Sequence, residues 1–241
     1  IGAGMAGMLA AIKLLEKGCR NLSVYEKGPT VGGTWRENTY PGLTCDVPSH
    51  SYTYSFELNP SWTRTQPPGP EVQAYFEGVK EKYGLKDWIR FNEEVVSCVF
   101  QKSRWQLKTA SGVQDIADVV IAATGVLHHP RYPDIPGTDE FEGAIFHSAK
   151  WDHSVPLDGK RIAIIGTGST GVQLVSALSA RASELTHFQR TPQWIMPVED
   201  RAYQEEELER FRNDPDVLRS LHYGEALESN IERFSAAITD P

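Results

Sequence analysis

What the sequence has little of narrows it first. Positive charge is short: 24 Lys and Arg stand against 32 Asp and Glu, for a formal net charge of −8 and a pI near 5.4. The basic footprint of a nucleic-acid-binding protein is therefore missing. No apolar run approaches the roughly 18 residues of a membrane-spanning helix. No basic segment precedes an apolar one at the start, so no signal peptide is visible. Cysteine is scarce, and Cys19, Cys45 and Cys98 form no C-x-x-C pair. That argues against a zinc site and against a redox-active dithiol. A reducing, cytoplasmic setting without a bound metal is the expectation. Low-complexity tracts are also absent, and 241 residues suit one large or two modest domains.

What is there is a pair of glycine-rich loops. Gly2, Gly4 and Gly7 fit G-x-G-x-x-G, and so do Gly166, Gly168 and Gly171. Each is expected to follow a strand and open a helix, so that helix N–H groups and the helix dipole can hold a pyrophosphate. The second loop has its strand at residues 161–165 and its helix at residues 171–180. The first has a helix over residues 5–17, with Met8, Leu9, Ile12 and Leu15 at helical spacing and Gly18 as its stop. Only Ile1 stands where its strand should be, so the chain reads as cut at the front.

A second strand, residues 22–25, ends in Glu26, which is 26 − 7 = 19 residues after Gly7. Such folds place an acid there, on the ribose hydroxyls of an adenosine. Superposing Gly2 on Gly166 gives an offset of 166 − 2 = 164, which puts Arg190 opposite Glu26. An acid repels a 2′-phosphate, whereas an arginine can grip one. The first site is thus expected to take a 2′-hydroxyl cofactor, FAD or NAD, and the second NADP.

Between the loops, Gly32, Gly33, Thr34 and Trp35 lead into a Gly-, Pro- and aromatic-rich stretch from Tyr40 to Phe56. It has no clear period and reads as a long ordered loop, a kind that is often functional. Asp46 lies in it among apolar and aromatic residues, where a carboxylate needs a partner or simply forms a turn. Residues 71–83 read as a helix. Residues 89–91, 94–100, 105–109 and 115–118 read as strands, the last three as a β-meander. Residues 119–123 form a continuous apolar run, expected as a buried parallel strand ending at Thr124 and Gly125. Prolines 130, 133 and 136 then stiffen a linker. Residues 199–240 are charged and helical in pattern, anchored by Leu208, Phe211, Leu218 and Leu221, and stop without closing a domain, so the chain reads as cut at the back as well.

The fold class expected is α/β: two Rossmann-like, three-layer units with parallel sheets, a β-meander and part of a helical insert. The boundaries read are 1–140 for a first nucleotide domain, 141–155 for a linker, 156–197 for a second nucleotide domain and 198–241 for the insert.

The linker carries Phe141, Gly143, His147, Trp151 and Asp152. These fill every fixed position of F-x-G-x-x-x-H-x-x-x-W-P/D. With both glycine loops, the Gly-Gly-Thr-Trp stretch and Ala123-Thr124-Gly125, the chain resembles the class B flavoprotein monooxygenases, and within them the type I Baeyer–Villiger monooxygenases. The N- and S-oxidising flavin monooxygenases usually carry another aromatic at Trp151. Flavin disulfide reductases need a cysteine pair near the flavin.

The resemblance implies FAD in the first site and NADPH in the second. Gly2, Gly4, Gly7 and Glu26 are implied to hold the ADP half of FAD. Gly33, Thr34 and Trp35 are implied along the flavin, with Asp46 near flavin and nicotinamide, Tyr52 on the flavin side, and Thr124 and Gly125 at the strand end. Gly166, Thr167, Gly168, Ser169, Thr170, Gly171 and Gln173 are implied on the NADPH pyrophosphate, and Arg190 and Thr191 on its 2′-phosphate. His147 is implied to act in conformational coupling, and Trp151 as a packing anchor. The activity implied is insertion of one oxygen of O2 beside a ketone carbonyl, by way of a C4a-peroxyflavin, to give an ester or lactone. Oxidation of a sulfide or amine is the alternative, as is a nucleotide-binding fragment without turnover.

Overall fold

The computed structural model describes residues 1–195, 198 and 200–224. It is a mixed α/β chain that divides into two compact units. One comprises Ile1–Asn38 with Gln73–Lys150; the other comprises Thr39–Val72 with the described residues from Trp151 onward.

In the first unit, α1 (Met5–Glu16) buries Gly7, Met8, Ala11 and Ile12. Their spacing lays one apolar stripe along the helix. Gly18, at φ +81°, ends the helix, its N–H bonding back to the Leu15 carbonyl. β1 (Val24–Tyr25) follows. After it come α2 (Thr34–Glu37) and α3 (Gly69–Lys82), and then β2 (Ile89–Arg90), which pairs parallel to β1 with Val24 opposite Ile89. Ile1 continues this layer through three backbone bonds. Its ammonium donates to the Ile121 carbonyl at 2.7 Å, its carbonyl accepts from Ala123 N–H at 2.8 Å, and the next N–H, of Gly2, donates to Tyr25 at 2.8 Å.

The meander forms as read: β3 (Val95–Gln101), β4 (Arg104–Thr109) and β5 (Gln114–Ala117) pair antiparallel. Lys102 and Ser103 both take positive φ at the first hairpin, the geometry that matches the twist of two antiparallel strands. Tyr25 Oη donates to Asp115 Oδ2 at 2.6 Å and accepts from Arg90 at 3.1 Å, which ties β1 and β2 to β5.

One expectation fails. Residues 119–123 form no regular strand, and Val119 and Ile121 are 74% and 46% exposed. A buried parallel strand needs ladder partners and cover on both faces, and among the described residues the backbone bonds of this run go to Ile1.

In the second unit, β6 (Arg161–Ile165) and β7 (Glu184–Phe188) run parallel, with Ile165 opposite Phe188, and α4 (Ser169–Leu178) crosses between them. Tyr40, Ile164, Leu174 and Leu178 form its buried centre, with Leu43, Trp151, Leu157, Ile162, Val175 and Leu185 packed around it. Residues 40–56 hold no helix or ladder strand, in keeping with an ordered loop.

α5 (Glu205–Asn213) opens on a reciprocal cap between Gln204 and Glu207. α6 (Pro215–Tyr223) opens on Asp214, whose carboxylate accepts from Asp216 and Val217 N–H, with proline at the first turn. Phe211 and Leu218 are buried, and Leu208 and Leu221 half-buried, as the helical pattern requires. The part of this pattern beyond residue 224 lies outside the described residues.

Candidate functional site

Each glycine loop forms the turn its sequence demands. A Cβ on Gly7 would lie 1.9 Å from the Gly2 carbonyl oxygen, and one on Gly171 would lie 2.2 Å from that of Gly166. Both contacts are far inside van der Waals range, so only glycine lets the helix start against the loop. Gly2 and Gly166 take φ +97° and +110°, a region open to glycine. At the first loop three segments converge. Gly4 abuts the Gly33 backbone, the Gly32 N–H donates to the Ala3 carbonyl at 3.1 Å, and Gly2 sits against Ala123 and Thr124. Gly33, Thr34, Trp35, Thr124 and Gly125 therefore belong to chain segments that meet or flank the first cradle.

Glu26 is buried beside that cradle, 4% exposed, and its Oε2 accepts from Ala3 N–H at 2.7 Å. The acid thus reaches the loop itself. At the second loop, His187 Nε2 lies 2.8 Å from the Gly166 carbonyl, and Thr167 Oγ1 donates to the Thr191 carbonyl at 3.3 Å.

The strand register corrects the offset argument. Gly2 N–H bonds to Tyr25, whereas Gly166 N–H bonds to Phe188. The second unit therefore reaches its strand end one residue sooner, so Gln189 occupies the place of Glu26 and Arg190 stands one residue beyond. Arg190 is exposed, and no described residue pairs with its guanidinium.

Asp46 has the partner it needs. Gln173 Nε2 donates to Asp46 Oδ1 at 2.9 Å, to the Thr44 carbonyl at 3.0 Å and to Thr44 Oγ1 at 3.2 Å. Gln173 Oε1 accepts from Tyr40 Oη at 2.8 Å, and Thr170 Oγ1 donates to Tyr40 Oη at 3.3 Å. The Gln173 amide is thus turned onto the loop that carries Asp46. Tyr40 went unnoticed in the sequence, because a Tyr-Pro-Gly triplet reads as a turn and nothing else. Tyr52 lies in a turn of the same loop, its N–H bonded to the carbonyls of Pro48 and Ser49. Cys45 beside Asp46 is buried, and desolvation pushes its thiol up to about 11. That is an inert sulfur at neutral pH.

The Phe141 ring lies over Gly143, where any Cβ would fall 2.3 Å from it. His147 accepts the Ala149 N–H at Nδ1, 3.1 Å away, and its own N–H donates to Tyr132 Oη at 3.1 Å. Its Nδ1 thus holds the turn. Trp151 packs against the core of the second unit. Asp152 Oδ1 accepts from both the N–H and the hydroxyl of Ser154, at 2.9 and 2.6 Å. Lys150 belongs to the first unit and Trp151 to the second, so the fingerprint spans the division between them.

A family model described as pyridine nucleotide-disulphide oxidoreductase matches residues 1–217. The chain belongs to that family. Its resemblance to Baeyer–Villiger enzymes is matched by individual proteins. A Baeyer–Villiger monooxygenase of Streptomyces coelicolor is 47% identical over 204 residues, covering 84% of this chain and 39% of that protein. A solved cyclohexanone monooxygenase from Rhodococcus sp. Phi1, bound to NADP+, superposes with a TM-score of 0.81 at 36% identity, over 90% of this chain and 42% of its own. The structure of OTEMO in complex with FAD and NADP gives 0.82 at 32% identity, over 92% and 42%. The chain spans about half the length of the curated relatives it matches. Among the described residues no helix is long and apolar enough to cross a membrane, and no cluster of His, Cys, Asp or Glu could hold a metal ion.

Proposed function

We propose that this protein is a FAD-dependent, NADPH-consuming monooxygenase that acts in the cytoplasm on a ketone and O2 to form an ester or lactone. The observation that carries it is one chain with two glycine cradles of opposite charge at their ribose ends. Glu26 reaches the first loop at 2.7 Å, and Arg190, with which no described residue pairs, stands just beyond the second strand. The names of the similar proteins support the same reading.

The residues present fit both cofactors. Gly2, Gly4 and Gly7 leave backbone, not side chains, at the mouth of α1, where a pyrophosphate can approach the N–H groups. Glu26 accepts hydrogen bonds from the ribose of FAD. Gly33, Thr34, Trp35, Thr124 and Gly125 would line its course. Gly166, Thr167, Gly168, Ser169, Thr170 and Gly171 cradle the NADPH pyrophosphate, and Arg190 with Thr191 takes the 2′-phosphate. Gln173, whose amide faces Asp46, acts through that carboxylate. Bound there, FAD supplies hydride acceptance and activation of O2. The protein positions the two cofactors, holds a carboxylate at Asp46 and keeps water from the reacting centre. His147 and Trp151 couple the two units through the linker and do not exchange protons.

The test is a product assay on the full-length protein with a panel of ketones and one sulfide. A yellow protein that consumes NADPH and yields lactone or ester is expected. A colourless protein, or oxidation of the sulfide alone, overturns the proposal.

A further inference from the structure

Glu26 does not choose its own direction. Its Oε1 accepts two hydrogen bonds, from Gly28 N–H at 2.8 Å and from Arg36 Nη1 at 2.9 Å, while Oε2 accepts one, from Ala3 N–H. Arg36 is nearly as buried, with its side chain 11% exposed. Its Nη1 also donates to the Thr30 carbonyl at 2.5 Å, and its Nη2 to Glu37 Oε1 at 3.0 Å. Lys27 Nζ lies 3.1 Å from that same Glu37 oxygen. The guanidinium fills its slot so closely that a Cβ on Gly28 would fall 2.3 Å from its central carbon.

Arg36 comes from α2, the short helix that opens at Gly33 against the first loop. One planar fork therefore joins the acid, the turn at Thr30 and the helix of the Gly-Gly-Thr-Trp stretch. A fork with several fixed donors can do this, whereas a single ammonium cannot reach all three acceptors.

We propose that Arg36 is the positioning residue of the first nucleotide site. It saturates Oε1 and leaves the unfilled lone pair on Oε2, beside Ala3, for the ribose hydroxyls. It also accounts for cofactor choice. An arginine near a ribose ordinarily invites a 2′-phosphate, but this one is held between Glu26 and Glu37, with both Nη atoms donating to protein acceptors. The site therefore meets the ribose with a fixed carboxylate and takes a dinucleotide with a free 2′-hydroxyl. This inference rests on FAD occupying the first cradle.

The test is a double-mutant cycle on the full-length apoprotein, read as FAD affinity by flavin fluorescence. The variants are Arg36→Lys and Arg36→Met, each on the native and on the Glu26→Gln background. On the native background Arg36→Lys is expected to weaken FAD by about tenfold and Arg36→Met by more. On Glu26→Gln the same changes are expected to cost less than about threefold, because residues that act through each other are not additive. The NADP+ affinity of the second site is expected to stay within about twofold of wild type. Arg36→Met strands a buried carboxylate and can unfold the unit. The Arg36→Lys pair keeps the charge and carries the test in that case. Equal losses on both backgrounds, or no loss on the native one, overturn the role of Arg36. Failure of the folded wild-type protein to bind FAD overturns the assignment of the cradle instead.

Discussion

Gln173 Nε2 lies 2.9 Å from Asp46 Oδ1 and Gln173 Oε1 lies 2.8 Å from Tyr40 Oη, so one amide on the helix of the second cradle holds both ends of a loop turn. Gln173 sits on α4, the helix whose start is the proposed pyrophosphate site, so the orientation of Asp46 is tied to that site through a single side chain. Gln173→Ala removes hydrogen bonds on both sides, one of them to a carboxylate, each worth about 1–2 kcal/mol where partly exposed. Product formed per NADPH consumed is expected to fall several-fold, with the KM for NADPH changing less than kcat. An unchanged ratio would show that Asp46 needs no such support. Tyr40→Phe, which deletes one bond, is expected to do less.

The register between β6 and β7 separates two neighbouring residues. Gln189 holds the position of Glu26, and Arg190 the next one. Arg190→Ala is expected to raise the KM for NADPH by about 10- to 100-fold, in line with one lost charge-assisted contact of about 1.5–3 kcal/mol, and to leave NADH use nearly unaltered. Gln189→Ala is expected to leave the preference intact. Steady-state kinetics with both cofactors decides the matter, and equal losses with NADPH and NADH would show that Arg190 does not read the phosphate.

The two cradles also contain glycines of different kinds. A Cβ at Gly171 would stand 2.2 Å from a carbonyl oxygen, whereas one at Gly168 would meet nothing within 4 Å. Gly171→Ala is therefore expected to destabilise the fold by more than about 2 kcal/mol, the range for changes that force backbone to move. Gly168→Ala is expected to stay within about 0.5 kcal/mol of wild type, yet to weaken NADP+ binding, because its methyl group would take up open space at the proposed pyrophosphate loop. Urea denaturation and NADP+ titration together read both effects.

Acid should act through His50. It is 5% exposed, rests edge-on against Phe211 with ring centres 4.6 Å apart, and burial pulls it down to about 4 despite the nearby Glu207 carboxylate. An unfolded histidine titrates near 6.5. Between those values the unfolded chain binds the extra proton, so stability falls as pH drops from about 6.5 to about 4. The full span amounts to about 3 kcal/mol at most. His50→Phe is expected to flatten the profile in that window and to leave the loss below pH 4 in place. There Glu207, held down to about 2 by Arg201, becomes protonated. Chemical denaturation at pH 7, 5.5 and 4.5 checks this.

The sequence by itself determined what is local. The glycine spacings, the apolar stripes of α1 and α4, the meander strands and the acid that ends β1 follow from backbone sterics and from the periods of helix and strand, which act over a few residues. The fingerprint was readable only through its resemblance to a family motif, although Phe141 over Gly143 and Asp152 with Ser154 do serve short turns. Tertiary structure alone decided the rest. It shortened the second unit by one residue before Arg190, turned Gln173 onto Asp46 and set Arg36 behind Glu26. It also set residues 119–123 beside Ile1, to which they bond without forming a regular strand. Each depends on hydrogen bonds between residues far apart in the chain, or on the partners a strand finds. Such pairings carry no periodic signal, and they exist only once the backbone has brought the two ends together.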